Sequence, residues 1–243
     1  MPLPSAAEKP RYVRRMFARI ARRYDLMNTL MTFGQDAAWR RAVAGAARLP
    51  PGDTANGAPA ALALDVGTGT GKRAETVARS APGARVVGVD FTLAMLRAGR
   101  ARLHPRVRLV AADATRLPFA DGRFDAVVSG FLVRNLADMH GGLGEQARVL
   151  KPGGRLVVLE VAPRPMPLVR PFFWLYFRGL VPILGALVAG DAAAYTYLPE
   201  STAAFATPEQ VASALQVAGL EQVEQRRLAL GSVAITTGTK RAR

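Results

Sequence analysis

Cysteine is absent from all 243 residues, so disulfides, cysteine metal sites and a cysteine nucleophile are excluded. Histidine occurs only as His104 and His140, which leaves little room for imidazole acid–base chemistry. Acids are scarce beside bases: 18 Asp and Glu against 33 Lys and Arg give a formal net charge of +15. That excess favours an anionic partner, either nucleic acid or a phospholipid surface, and charge alone does not choose between them. An arginine- and alanine-rich composition is also compatible with a coding bias. Between Pro163 and Phe205 the longest uncharged run, Gly179–Gly190, is shorter than the ~20 residues that span a bilayer, and Pro182 interrupts it. The opening MPLPSAAEKPRYVRRM lacks an apolar core of signal-peptide length, so the expected compartment is the cytoplasm.

What is present is a chain that is 50% hydrophobic and long enough for one large domain with a substantial core. It is organised around Ala61–Gly71, ALALDVGTGTG. An apolar run enters Asp65 and then glycines at every second position, Gly67, Gly69 and Gly71, which reads as a buried strand turning into a helix. A dinucleotide-binding turn, G-x-G-x-x-G, would need glycine where Lys72 stands. Strands are expected at 61–66, 85–90, 107–112, 124–129 and 155–161, with helices between them. This alternation predicts a doubly wound parallel sheet whose strand C-termini share one ligand-binding edge.

On either side of that core the pattern changes. Residues 9–27 combine Lys9, Arg11, Arg14, Arg15, Arg19, Arg22 and Arg23 with an apolar stripe of Val13, Met16, Phe17, Ile20, Tyr24 and Met27. One basic amphipathic helix is expected, docking its stripe on protein, lying near an anionic bilayer, or doing both. A break near Thr32–Gly34 and a second helix through Arg48 follow, then a loop at Pro50–Pro59. After the fifth strand the rhythm stops at Pro163–Phe205, an apolar, proline-rich insertion suited to a cap or a lipid-facing surface. A helix near 208–218 and two strands separated by Leu230–Gly231 close the chain. One domain is therefore expected: a helical extension (1–50), a Rossmann-like core (60–162 and 207–238) and a lid-like insertion (163–206).

The G-x-G-x-G turn with its preceding acid resembles the S-adenosylmethionine site of class I methyltransferases. The fold this implies is α/β, a mostly parallel seven-stranded sheet with helices on both faces and a final hairpin. In it Gly67, Gly69 and Gly71 bring backbone close to the cofactor, and Asp65 holds its amino-acid end directly or through water. Asp90, 23 residues after Gly67, suits the ribose hydroxyls. Asp113, with the backbone of Ala114, suits the adenine. Asp90 and Asp113 also have the bland alternative of capping a helix.

The likeness extends further. Tyr24–Trp39 (YDLMNTLMTFGQDAAW) and Arg148–Ala162 (RVLKPGGRLVVLEVA) resemble the two signatures of the ubiquinone/menaquinone-biosynthesis C-methyltransferases, as do SGFLVRNLAD and DAAAYTYLPEST. Thr32, Asp36 and Ala162 depart from the family's Ser, His and Ser. The resemblance implies C-methylation of a polyprenylated quinol, with a tilt toward demethylmenaquinol, and a peripheral place at the inner face of the cell membrane. It implies that Arg134 acts with a water on the phenol, although a structural salt bridge is the alternative. Tyr24, Asn28, Tyr195 and Tyr197 are candidates to orient the ring. No metal and no nucleic acid are expected, and a homodimer stays open. The competing reading is a methyltransferase for another small molecule or RNA, but the adenine-methylating N/D-P-P-Y loop is absent: the chain has SGFL there.

Overall fold

The computed structural model describes residues 3–50 and 60–242. Beyond Pro50, the expected loop at Pro50–Pro59 lies outside the described residues. Five parallel strands come first: β1 (Leu62–Val66), β2 (Arg85–Asp90), β3 (Val107–Ala111), β4 (Phe124–Gly130) and β5 (Leu150–Val161). A closing pair, β6 (Leu220–Leu228) and β7 (Val233–Lys240), is antiparallel, and β7 inserts between β5 and β6 to give the order β3-β2-β1-β4-β5-β7-β6. The order reverses between β1 and β4, and a crevice opens there at the strand C-termini. The expected class I fold is borne out, strand for strand.

Both faces of the sheet are covered, which is why its central strands read as continuous apolar runs. One face carries Leu64, Val66 and Val158 into a core with α6 (Met139–Arg148) and α9 (Pro208–Val217). The other packs Ala63, Val128 and Val157 on α3 (Gln35–Ala46) and α4 (Lys72–Ser80). Between β2 and β3 runs α5 (Leu93–Gly99).

A third core stands above the crevice, built from the N-terminal extension and the insertion. Here the structure corrects two expectations. The basic stretch is not one helix: it breaks at residues 21–23 into α1 (Lys9–Ile20) and α2 (Tyr24–Met31). The break lets Val13, Met16 and Ile20 bury against the insertion while Tyr24 turns into the crevice. The arginines Arg11, Arg14, Arg15 and Arg19 remain exposed. The apolar stretch of the insertion, in turn, is longer than its uncharged run and is not cut at Pro182. The insertion forms α7 (Arg170–Ala189) and α8 (Ala192–Ala203).

Pro182 does not interrupt α7. The backbone widens into π-helical turns at Tyr176–Leu180 and Gly185–Ala189, and the proline sits in the α-helical turn between them. Among the described residues α7 is the one helix long and apolar enough by composition to cross a membrane: 20 residues, mean hydropathy 1.7. The uncharged-run criterion missed it because Arg178 lies within the helix, its guanidinium 4.8 Å over the Trp174 ring.

Candidate active site

The glycine-rich turn is held by its own hydrogen bonds and by a buried arginine. Gly67, Gly69 and Gly71 all have positive φ (65°, 59° and 84°), a conformation that costs a side-chain-bearing residue ~1 kcal/mol or more. Thr68 N–H donates to the Val89 carbonyl at 2.9 Å, tying the turn to β2. Arg73, at the start of α4, donates to Asp65 (2.6 Å) and to the carbonyls of Val66, Gly67 and Gly130. Asp65 also accepts from Thr68 Oγ1 at 2.7 Å and is fully buried. Burial pushes the Asp65 carboxyl up and Arg73 pulls it back. Asp65 thus sits behind the turn and lines neither cavity described below; what it visibly does is anchor the guanidinium that braces the crevice. Gly71 lines neither cavity and opens α4.

Two cavities flank the turn. The first, about 330 Å³, runs along the ends of β2 and β3 and is lined by Gly67, Gly69, Asp90, Phe91, Met95, Asp113, Ala114, Thr115 and Leu132, among others. Asp90 accepts Gly69 N–H at 3.0 Å and Thr92 N–H at 2.8 Å. The capping geometry is therefore present, yet each oxygen keeps a lone pair for a ligand hydroxyl. Burial raises the Asp90 pKa, against those two backbone donors. Asp113 takes Thr115 N–H (2.8 Å) and Oγ1 (2.7 Å) on Oδ1, turning the loop so that Ala114 faces the cavity. Two carboxylates at successive strand ends, with Phe91, Met95 and Leu132 between, suit a nucleoside: acceptors for sugar hydroxyls and an exocyclic amine, apolar walls for the base.

The second cavity, about 270 Å³, lies on the other side of the turn under the third core. It gathers Tyr24, Asn28, Tyr195, Tyr197 and Arg134, so the residues proposed for the ring and its chemistry do converge. Burial raises the Tyr24 phenol, and the neighbouring Asn28 side chain draws it back down. Tyr197 Oη donates to Asn135 Oδ1 at 3.3 Å, and its ring packs on Tyr12. Tyr195 is buried with its hydroxyl unpartnered, and burial pushes its phenol upward.

Arg134 comes from a short turn after β4 and is 7% exposed. Its Nη1 donates to Glu160 Oε2 at 3.1 Å, while Nε has no partner and the guanidinium carbon lies 5.8 Å from the Phe131 ring centre. The salt bridge exists, and of its two members Arg134 lines the cavity while Glu160 stands behind it. Burial pushes the Glu160 carboxyl up, and Arg134 draws it down.

Sequence reasoning missed several of these residues. Glu160 was signalled only by an acid inside the apolar strand LVVLEV. Phe131, with φ of 56°, joins the two cavities and packs edge-on against Trp39 at 6.2 Å. Asp25 links α2 to the glycine turn through Thr70 Oγ1 (2.7 Å), Lys72 (3.6 Å) and Arg102 (3.1 Å). The two cavities share Phe17, Tyr24, Gly67, Gly69, Gly130 and Phe131. Ligands in each would meet along that wall.

Known proteins resemble this chain in sequence and in fold. The chain is 43% identical over 240 residues to the demethylmenaquinone methyltransferase of Roseiflexus castenholzii, covering 98% of both chains. It is 44% identical to that of Thermus thermophilus, covering 93% of this chain and all of that one. It is 43% identical to the ubiquinone/menaquinone biosynthesis C-methyltransferase UbiE of Desulfotalea psychrophila, covering 94% and 90%. Among solved structures, an S-adenosylmethionine-dependent methyltransferase of Thermotoga maritima shares the fold, with TM-score 0.66 and 18% identity over 93% of this chain and 99% of that one. With residues 5–240 matching its family pattern, the chain belongs to the ubiE/COQ5 methyltransferase family and is an S-adenosylmethionine-dependent methyltransferase.

Proposed function

We propose that the protein methylates a ring carbon of a polyprenylated quinol, converting demethylmenaquinol to menaquinol, with the benzoquinol of ubiquinone biosynthesis as the related alternative ring. The names of its relatives support this reading. The observation that carries it is the pair of cavities meeting at one wall, one with nucleoside-type acceptors and the other aromatic with a buried arginine.

When bound, S-adenosylmethionine supplies a methyl already activated on a sulfonium. Asp90 would hold its ribose, and Asp113 with Ala114 its adenine. The remaining work is positioning a carbon nucleophile and managing the charge on the neighbouring ring oxygen. Arg134 does the second: a guanidinium desolvated by Phe131 and held by Glu160 stabilises the phenolate as it develops. Tyr24, Asn28, Tyr195 and Tyr197 shape the ring's seat.

The tail leaves between α2 and α7. Met31, Phe33, Phe173 and Tyr176 line the cavity at that seam, where Tyr176 Oη donates to the Met31 carbonyl at 2.9 Å. Leu26, Phe33, Phe172, Leu175 and Leu187 are exposed, and α1, which carries exposed arginines, packs its apolar side into the same third core. In this reading α7 lies along the inner face of the cell membrane as an interfacial helix, with α1 drawn to anionic lipid. Removing Arg11, Arg14 and Arg15, at about 1 kcal/mol each, should sharply reduce co-sedimentation with anionic vesicles, and salt should do the same. Equal binding to neutral vesicles would contradict the charge-steered version.

Mass spectrometry of cellular quinones after deletion of the gene tests the reaction itself. Accumulation of the demethylated quinone is expected; an unchanged quinone profile would contradict it.

A further inference from the structure

The ring cavity contains two carboxylates, and they differ in how fully they are occupied. Asp25 is engaged by Thr70, Lys72 and Arg102. Asp36, in the first turn of α3, is 6% exposed, and among the described residues its carboxylate has one partner, Arg40, which meets Oδ2 at 2.5 Å. Its backbone is fixed by Thr32 Oγ1, which accepts the Asp36 N–H at 3.2 Å. Oδ1 is left as an acceptor at the cavity wall. One helical turn further, Trp39 packs on Phe131, which in turn underlies Arg134. An aromatic wall thus runs from a buried carboxylate to a buried guanidinium. One end only accepts hydrogen bonds and the other only donates.

We infer that Asp36 selects the redox state of the ring by accepting a hydrogen bond from one of its hydroxyls. This rests on the quinol reading above. A 1,4-dihydroxy ring carries a donor at each end, whereas the oxidised quinone carries carbonyl acceptors only. Arg134 can donate to either form. Asp36 can be satisfied by the reduced form alone, and a quinone carbonyl against it leaves a buried carboxylate facing another acceptor. Sites built around a buried polar partner reject ligands that lack the matching group, because the site's own group is left unpaired. The selection is useful to the reaction, since only the reduced ring has a hydroxyl whose deprotonation makes the ring carbon nucleophilic.

The test uses the full-length protein with a short-tailed demethylnaphthoquinone, offered reduced or oxidised. The wild type should bind the reduced ring at least about tenfold more tightly than the oxidised ring, measured as KM against the inhibition constant of the quinone. Asp36→Asn keeps the side chain's size and an oxygen for Arg40, but adds a donor that a quinone carbonyl can accept. Its preference should fall by about tenfold, with quinone inhibition strengthened and cofactor affinity unchanged. A purely structural Asp36 would lower thermal stability without moving that ratio. Equal affinity of the wild type for the two ring forms overturns the inference whatever the variant does, and so does an Asp36→Asn enzyme with wild-type preference. Absence of any quinol methylation by the wild type removes the functional reading itself, whereas methylation without the preference removes only the role given to Asp36.

Discussion

The two cavities are built by opposite strategies. The nucleoside cavity is made chiefly where the sheet ends: strand carboxylates, a glycine turn and backbone atoms within residues 67–115 and 130–138, closed over by Pro10, Val13, Phe17 and Tyr24 of α1 and α2. The ring cavity is made from side chains on helices far apart in sequence, with Tyr24 and Asp36 near one end of the chain, Arg134 in the middle and Tyr195 in the insertion. The first places its ligand by fold geometry that any parallel sheet provides at a switch point. The second depends on how a small helical core, α1, α2, α7 and α8, settles over the sheet. Cofactor recognition should therefore tolerate changes in α7 and α8, which line the ring cavity and not the nucleoside cavity, and ring recognition should not.

Arg134→Ala probes this separation with the largest expected effect. Turnover should drop about a hundredfold or more, as for loss of a preorganised electrostatic stabiliser, while cofactor affinity holds. Steady-state kinetics with calorimetry separates the two; a small loss of turnover would leave Arg134 as no more than the partner of Glu160. Asp90→Ala should do the converse. Cofactor affinity should weaken by about 10- to 100-fold through lost hydroxyl acceptors, and the ring's KM should stay near wild type. Unchanged affinity in calorimetry would show that Asp90 only ties Gly69 and Thr92.

Gly185→Ala gives the smallest effect and the sharpest contrast. A Cβ there falls onto Tyr195, so either α7 or the ring must shift. Such overpacking costs about 1–3 kcal/mol, so a lower Tm and a raised ring KM are expected, without change at the cofactor. If cofactor affinity fell equally, the two cavities would not be independent.

The same contrast explains what could be read from the sequence. Residues 61–71 announce a strand, a turn and a helix because the ligand contacts are local and glycine has few other reasons to recur at that spacing. Asp90 and Asp113 follow because each ends an apolar strand. The place of Asp65 behind the turn did not follow, since it depends on Arg73, eight residues on, whose basic side chain reads as surface until the fold shows it capping three carbonyls. The role of Glu160 was hidden for the same reason: its partner is 26 residues earlier. The helicity of α7 was obscured by Pro182 and Arg178, which local rules treat as interruptions. A π-helical backbone and a tryptophan ring accommodate them.

Labelled methyl transfer from S-adenosylmethionine by the purified protein, with reduced short-tailed demethylnaphthoquinol and bulk RNA offered separately, tests the central claim most directly. The account predicts label on a ring carbon of the naphthoquinol, none on the oxidised quinone and none on RNA. Label on RNA, or none on the quinol with the cofactor bound, would contradict it.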